Sequence, residues 1–524
     1  MAKNYSRTTN TILNFTSSIG GQAITILMHF ITRTVFIATL GKSYLGINGL
    51  FSNILSMLSL AEFGVGSAIL FKLYKPIAAG DFHRITILMK FYKTAYRIIG
   101  ILVAIIGITL IPFLPVLIKD YGKLQELNIN APLIYCLFLF KTVSTYLFFA
   151  YKSAIIKANQ KEYYINLISY IFTIGTSVAQ IICMYLFKNF IIYVLLSVLQ
   201  VIIQNIICAI LSDKLYPYIK EASVEKLGID EIKGIVKDCS ALFLYKLNGV
   251  VLKATDNLVI SIFIGLDAVG EYSNYYILYS TINTLFAKIY NSVSHSLGNL
   301  HTGNDRKREY GIFEAVILIT AILGGTACVG ILVCADELID SWIGPEWVIK
   351  QPFSILMGLE VYTLAFRVAL SKYRTTMGLF QQAKYRPLAG MIINLIVSVA
   401  LARSWGICGV LVGTIIADWS TMMWFDPIII HKYGFEAPSD IKKYFMKFLK
   451  YFVTMCIVAC IDYFICTHLL VGHDWLSVII HAMICAVTVP TVFIILNIKS
   501  PEGQYIFKLG MNYVLKVNKK MGIR

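Results

Sequence analysis

The chain has 524 residues, of which 57% are hydrophobic and only 14% are charged, and its mean hydropathy is +0.71. This composition excludes an ordinary soluble protein, in which about a quarter of the residues are charged. The formal net charge of +17 is compatible with nucleic-acid binding or with the loops of a membrane protein, and the positions of the basic residues decide between them.

Apolar runs of roughly 20 residues, the length that spans a bilayer, recur along the chain. They predict an all-α integral membrane protein with about 14 transmembrane helices, at 11–39, 44–71, 98–118, 131–151, 163–187, 189–212, 238–264, 268–297, 311–335, 351–371, 387–402, 406–430, 451–470 and 475–498. With the N-terminus in the cytoplasm, 34 of the 46 lysines and arginines lie in inside segments and only 6 in outside connections. This bias predicts that both termini are cytoplasmic and that the positive charge serves orientation and contact with membrane lipids, so no nucleic-acid partner is expected.

An internal repeat divides these predicted helices into two halves. LGKSYLG at 40–46 matches IGLDAVG at 264–270 with an offset of 224, and the same offset places AGD at 79–81 on GND at 303–305. An offset of 222 places YKSAIIKANQKEY at 151–163 on YRTTMGLFQQAKY at 373–385. We therefore predict two pseudo-symmetric six-helix lobes that enclose a central cavity. The predicted segments are an N-terminal lobe 1–212, a cytoplasmic linker 213–237, a C-terminal lobe 238–430, a second cytoplasmic linker 431–450, helices 13 and 14 within 451–498, and a basic tail 499–524.

Polar side chains within the predicted helices mark the candidate binding site, because charge at membrane depth normally faces a cavity or a partner. Helix 1 carries Gln22, His29 and Arg33 on one face, and the offset of 224 leads from them to Lys246, Lys253 and Asn257 in helix 7. The full set of predicted cavity-lining residues is Gln22, His29, Arg33, Lys246, Lys253, Asn257, Asn274, Lys288 and Arg367.

A surplus of cations in the cavity predicts an anionic ligand, and phosphate or pyrophosphate suits arginine and lysine best. The alternative for any single cation is a snorkelling side chain or an interhelical ion pair, such as Lys253 with Asp256. Glu62 and Asp256 are the candidate carboxylates for a coupling ion, which the sequence leaves open as a proton or a sodium ion. No catalytic, nucleotide-binding or metal-ligand pattern is visible, so we expect neither an enzyme nor a resident cofactor.

The opening of the chain resembles the polysaccharide-transporter branch of the multidrug/oligosaccharidyl-lipid/polysaccharide (MOP) exporter superfamily. The resemblance lies in LGKSYLGINGLF at 40–51, AEFGVGSA at 61–68, the AGD turn, and the order of two six-helix halves plus two helices. It implies a flippase of the Wzx type in the bacterial inner membrane. Such a protein moves undecaprenyl-diphosphate-linked oligosaccharide repeat units to the outer leaflet by alternating access, beside the polysaccharide polymerase and glycosyltransferases.

Two groups of alternatives stay open at this point. The first is a lipid II flippase or another exporter of the same superfamily, although an exporter of cationic drugs calls for an acidic site. The second is a membrane-embedded glycan polymerase or ligase, which typically needs a large outside loop or an acidic catalytic motif, and neither is visible in the sequence.

Overall fold

The computed structural model describes residues 7–62, 65–119, 121–126, 129–220, 227–235, 255–301, 306–379, 381–383, 385–435, 440–469 and 474–508. Within these residues every element of regular secondary structure is a helix, as predicted. Eight of the helices are long and apolar enough to cross a membrane, and the bent pair Ala131–Leu147 and Ala150–Ala158 adds a ninth. The all-α membrane fold is confirmed, whereas the number of 14 helices stays a prediction.

The chain divides into two compact units, Met1–Gly270 and Glu271–Arg524. The predicted lobes and linkers, which place the division at 213–237, stay predictions. The main helices of the first unit are α1 (Arg7–Leu40), α2 (Lys42–Leu58), α3 (Val65–Ala79), α4 (Phe82–Thr109), α5 (Ala131–Leu147), α6 (Glu162–Phe187) and α7 (Phe190–Leu215). Helix α8 (Leu266–His301) starts in the first unit, and the second unit continues with α9 (Arg306–Ile343), α10 (Phe353–Thr376), α11 (Arg386–Ser420), α12 (Met422–Ile429), α13 (Ile441–Phe464) and α14 (Trp475–Asn497).

The structure departs from the predicted spans in two places: one span is broken, and two other spans meet in one kinked helix. The predicted helix 44–71 is broken into α2, a 3₁₀ turn Ser59–Glu62, and α3. Helix α11 contains Gly406 with a positive φ of 58°, where the two predicted spans 387–402 and 406–430 meet. A β-carbon on Gly409 would lie 2.4 Å from the carbonyl oxygen of Leu401, and one on Gly413 would lie 2.8 Å from the backbone nitrogen of Ser398. The two limbs of α11 therefore run antiparallel in close contact, as a hairpin.

The first match of the internal repeat is visible as a reciprocal contact. Gly41 and its counterpart Gly265 both have positive φ angles, of 80° and 139°, which glycine adopts most easily. A β-carbon on Gly46 would lie 2.1 Å from the carbonyl oxygen of Leu266, and one on Gly270 would lie 2.9 Å from that of Lys42. Leu266 is the counterpart of Lys42 under the offset of 224, and Gly270 is the counterpart of Gly46. The contact between Gly46 and Leu266 is therefore repeated, with the two halves exchanged, as the contact between Gly270 and Lys42. Such reciprocity is the mark of a local twofold relation.

The two C-terminal helices α13 and α14 pack on α9 and form the core of the second unit with it. This core includes Val329 and Tyr362 together with Tyr451, Val489 and Phe493, all almost fully buried. The predicted appended helices are therefore integral to this unit.

A small ion-pair network fastens the chain after α14. Lys447 Nζ donates to Glu314 Oε1 at 2.7 Å and to Glu502 Oε2 at 2.9 Å, and the Tyr451 hydroxyl donates to Glu502 Oε1 at 3.0 Å. Burial alone raises the pKa of the Glu502 carboxyl, but hydrogen bonds from its own backbone, from Lys447 and from Tyr451, with the charge of Lys447, hold that pKa below its usual value.

Candidate functional site

The first unit carries a group of basic side chains on α1 and α5. His29 is exposed and lies within electrostatic range of the half-buried Lys141 of α5, and Arg33 lies within that range of Tyr193 on α7. Lys141 forms no ion pair with the side chains that the structure describes. Gln22 was predicted on the same face of helix 1. Its backbone lies in α1, and its side chain is outside the described part of the structure.

The predicted cations of helix 7 cannot be placed in the same way. Lys246 and Lys253 lie outside the described residues, so the predicted counterpart face is untested there. Asn257 and Asp256 lie in the helical stretch 255–263, and both are buried, with exposed fractions of 4% and 6%.

Glu62 lies where the second predicted span breaks, at the end of the 3₁₀ turn. The Tyr96 hydroxyl of α4 donates to Glu62 Oε1, and the Tyr92 hydroxyl donates to that of Tyr96 at 2.9 Å. Tyr146 of α5 lies beside the same carboxylate. A β-carbon on Gly66 would lie 3.1 Å from the Tyr92 hydroxyl, so the glycine lets α3 approach this chain of hydroxyls. The candidate coupling carboxylate is thus held by tyrosines and not by a basic residue among the described side chains.

The polar face predicted for helix 8 lies along α8. Asn274 is fully buried, and Lys288 is half-buried with no ion pair among the described side chains. Their separation of 14 positions in the sequence corresponds to about 21 Å along the helix axis, so one small ligand cannot contact both.

Arg367 of α10 lies in a buried ionic cluster. Its guanidinium pairs with Asp418 of α11, lies 3.4 Å from Glu360 Oε1, and donates to the Tyr279 hydroxyl at 2.5 Å. That hydroxyl donates to Glu360 Oε1 at 3.1 Å. Two carboxylates oppose one guanidinium, so Arg367 contributes no surplus positive charge in the described structure.

The contrast between Arg367 and Lys141 makes the two halves of the repeat electrostatically different. The two cations lie in corresponding predicted helices, ten and four. The position that corresponds to Glu360 under the offset of 222 is Phe138, a buried aromatic residue. Glu360 and Asp418 were not among the predicted site residues, although Glu360 lies two helical turns before Arg367 on the same helix face, a spacing that indicates an ion pair.

The repeat match with the offset of 222 begins at the ends of the fourth and tenth predicted helices. Corresponding residues form ionic contacts there in both halves. Lys152 Nζ lies 2.6 Å from Asp213 Oδ1 in the first unit. In the second unit its counterpart Arg374 lies 3.3 Å from Asp426 Oδ1, and Arg386 lies 3.1 Å from Asp426 Oδ2. Both contacts tie the end of one predicted helix to the end of the helix two further along, so they serve the architecture of each half.

Comparison of the sequence with known families gives a match over residues 90–352, to the family described as "Polysaccharide biosynthesis protein". The chain belongs to this family. A comparison with curated proteins gives no match.

Solved structures of membrane transporters share the fold of this family member. "Lipid II flippase MurJ, inward closed conformation" aligns with a TM-score of 0.61 at 16% identity and covers 91% of this chain and 98% of its own. "Inward-facing conformation of a multidrug resistance MATE family transporter of the MOP superfamily" aligns with a TM-score of 0.54 at 14% identity, covering 80% and 96%. The "eukaryotic MATE transporter AtDTX14" gives a TM-score of 0.54 at 13% identity, covering 82% and 97%.

Together these findings confirm the resemblance drawn from the sequence. The chain is a multi-pass membrane protein of the polysaccharide biosynthesis family, and it shares its fold with the solved flippase and MATE transporter structures. At these identities the structural likeness concerns the fold, and the substrates of the neighbours are theirs.

Proposed function

We propose that this family member is a flippase that moves undecaprenyl-diphosphate-linked oligosaccharide repeat units across the bacterial inner membrane, with both of its termini in the cytoplasm. The observation that carries the proposal is the match to a polysaccharide biosynthesis family in a chain that has the fold of a lipid II flippase. Glycosyltransferases would supply the substrate, and a polymerase would consume it.

Movement of this lipid-linked oligosaccharide across the membrane requires a polar path but no covalent chemistry. Sugar hydroxyls and a diphosphate would lose their hydration on crossing about 30 Å of hydrocarbon. The basic group of His29, Arg33 and Lys141 supports recognition of the diphosphate, because these side chains donate charge-assisted hydrogen bonds to phosphate oxygens. Lys141 gives the strongest support for diphosphate binding, since no described carboxylate neutralises it.

Glu62 is the carboxylate that we propose for ion coupling. It lies at a helix break and accepts a hydrogen bond from Tyr96, so a proton or a sodium ion that binds there would change how α2 and α3 are joined. The coupling ion is part of the proposal, and replacement of sodium by choline at fixed pH separates the two ions.

A second candidate is a lipid II flippase, and the structural likeness to a protein of that name favours it over an exporter of cationic drugs. Both candidates share a diphosphate-linked polyprenyl substrate, so they differ in the group that the diphosphate carries. Transport assays with the two lipids side by side distinguish them.

The proposal is tested in cells that lack the gene for this chain. We expect such cells to accumulate the lipid-linked oligosaccharide on the cytoplasmic side and to regain surface polysaccharide when the wild-type chain is supplied. Lys141→Gln should restore no more than about a tenth of the polysaccharide, because loss of one charge-assisted contact costs roughly 1.5–3 kcal/mol. Lys188→Gln is the matched control, since Lys188 is exposed at the end of α6.

Membrane levels of both variants are measured by immunoblot. Full restoration by Lys141→Gln at wild-type protein level would remove Lys141 from the site. Wild-type chain that reaches the membrane and leaves the accumulated lipid unchanged would refute the proposed function.

A further inference from the structure

A polar pocket of about 370 Å³ lies in the second unit between α9, the π-helical turn Ile465–Leu469 after α13, and α14. Its wall carries three acidic side chains from the last turns of α9, namely Asp336, Glu337 and Asp340. The lining runs from the exposed Thr467 to His481, which is only 4% exposed. Water can therefore enter beside side chains that are otherwise buried between helices.

The acidic groups of the pocket differ in how they are satisfied. Both carboxylate oxygens of Asp336 are hydrogen-bonded, because they accept hydrogen bonds from Tyr275 at 2.6 Å, from Gln351 at 2.8 Å, and from Ser354. Glu337 Oε2 lies 2.8 Å from His481 Nδ1, whereas its buried Oε1 has no hydrogen-bond partner in the described part of the chain. One carboxylate oxygen is thus available beside a histidine.

Further titratable side chains, namely Cys466, Cys485 and Asp462, lie behind this pair between α9, α13 and α14. We call this row of side chains the file. Cys466 lines the pocket and lies within electrostatic range of both Glu337 and Asp462. The Cys485 thiol of α14 lies close to Cys334 of α9 and within electrostatic range of Asp462. His481 and Thr488 are seven positions apart on α14, so the file extends about 10 Å along this helix from the pocket.

Asp462 of α13 closes the file at its buried end. It is fully buried, and its Oδ2 accepts a hydrogen bond from the Thr488 hydroxyl. Its Oδ1 has no partner among the described residues, and no described lysine or arginine pairs with it. A buried carboxylate in that state is costly when ionised, and it is relieved by a proton or a cation.

From this geometry we infer that the pocket and the file behind it form a proton-binding site, with Asp462 as the group that gains and loses the proton and Glu337 with His481 as its entry. The step is a simple transfer: a proton from water in the pocket joins the Asp462 carboxylate, and the same proton returns to water on release. A proton fits better than a metal ion, because no three His, Cys, Asp or Glu side chains in the described ranges are close enough to hold a metal. The site lies on α9, α13 and α14 of the second unit, whereas Glu62 belongs to the first unit. The inference goes beyond the proposed function because it holds for any cargo.

The test is pH-difference infrared spectroscopy of the purified, full-length chain in lipid, without substrate. We expect a carbonyl band of a protonated carboxyl group that appears as the pH falls, and Asp462→Asn should abolish it. Asp230→Asn is the control, since Asp230 is fully exposed. Glu337→Gln should keep the band, because the inference assigns the proton to Asp462 and Glu337 contacts His481 instead.

Thr488→Val keeps the test decisive if Asp462→Asn does not fold. Removal of the hydroxyl that donates to Asp462 should move the frequency of the band while leaving it present. A spectrum in which neither Asp462→Asn nor Thr488→Val changes any titrating carboxyl band would overturn the inference. Because no substrate is present, this result is independent of whether the chain is a flippase.

Discussion

The ionic cluster around Arg367 allows a quantitative prediction. The guanidinium pairs with Asp418 and lies 3.4 Å from Glu360 Oε1, and the side chains of Arg367, Glu360 and Asp418 are 22%, 2% and 8% exposed. Arg367→Gln would remove the cation that pairs with Asp418 and lies beside Glu360. Breaking a buried ion pair in this way costs about 3–5 kcal/mol of the free energy of unfolding.

The double variant Arg367→Gln with Asp418→Asn separates this cause from a loss of packing. It should regain at least about 1 kcal/mol relative to the single variant, since it removes the Asp418 charge that Arg367→Gln leaves without its ion-pair partner. The measurement is unfolding of the purified protein in detergent, followed by tryptophan fluorescence. Arg84→Gln is the control, because Arg84 and its partner Glu231 are 36% and 32% exposed and such pairs contribute under about 1 kcal/mol. Equal stability of wild type and Arg367→Gln, or no recovery in the double variant, would refute the reasoning.

Two further predictions concern stability. Gly46→Ala should destabilise the first unit by about 1–3 kcal/mol, because its β-carbon would lie 2.1 Å from the Leu266 carbonyl oxygen, whereas Gly49→Ala, with its nearest atom at 3.4 Å, should have little effect in the same unfolding assay. The lowered pKa of Glu502 means that its contribution to stability is present above the ordinary glutamate pKa of about 4.3 and is lost as the pH falls through the folded value. Glu502→Gln should therefore flatten the thermal stability curve in that acidic range while Asp230→Asn leaves it unchanged, and an unchanged curve for Glu502→Gln would contradict the assignment.

The sequence was most informative where the signal is local or repeated. Apolar runs locate the helices because a spanning segment must be continuous, and the offset of 224 identified Gly41 and Gly265 as counterparts before their shared positive φ was known. The offset could not reveal that Ser43 would donate to its own counterpart, Asp267, at 2.9 Å. That contact depends on where the local twofold relation lies in space, and sequence spacing does not contain this information.

The candidate site was less predictable, because the face on which two helices meet is a tertiary property. A count of in-span cations grouped Arg367 with Lys288, yet Arg367 is neutralised by Asp418 from another helix, 51 residues further along. Glu337 and His481 are 144 residues apart and share no local pattern. For such pairs only the packing of α9 against α14 brings the groups together.

The central claim is tested most directly by transport in proteoliposomes that contain the purified chain. Undecaprenyl-diphosphate-linked oligosaccharide is placed in both leaflets, and the fraction accessible to an added glycan-modifying enzyme is followed with time. The account predicts that the inner-leaflet fraction becomes accessible with the wild-type chain and that Lys141→Gln slows this by about tenfold or more. Folded wild-type chain that exposes the lipid no faster than protein-free liposomes, under an imposed proton or sodium gradient of either direction, would contradict it.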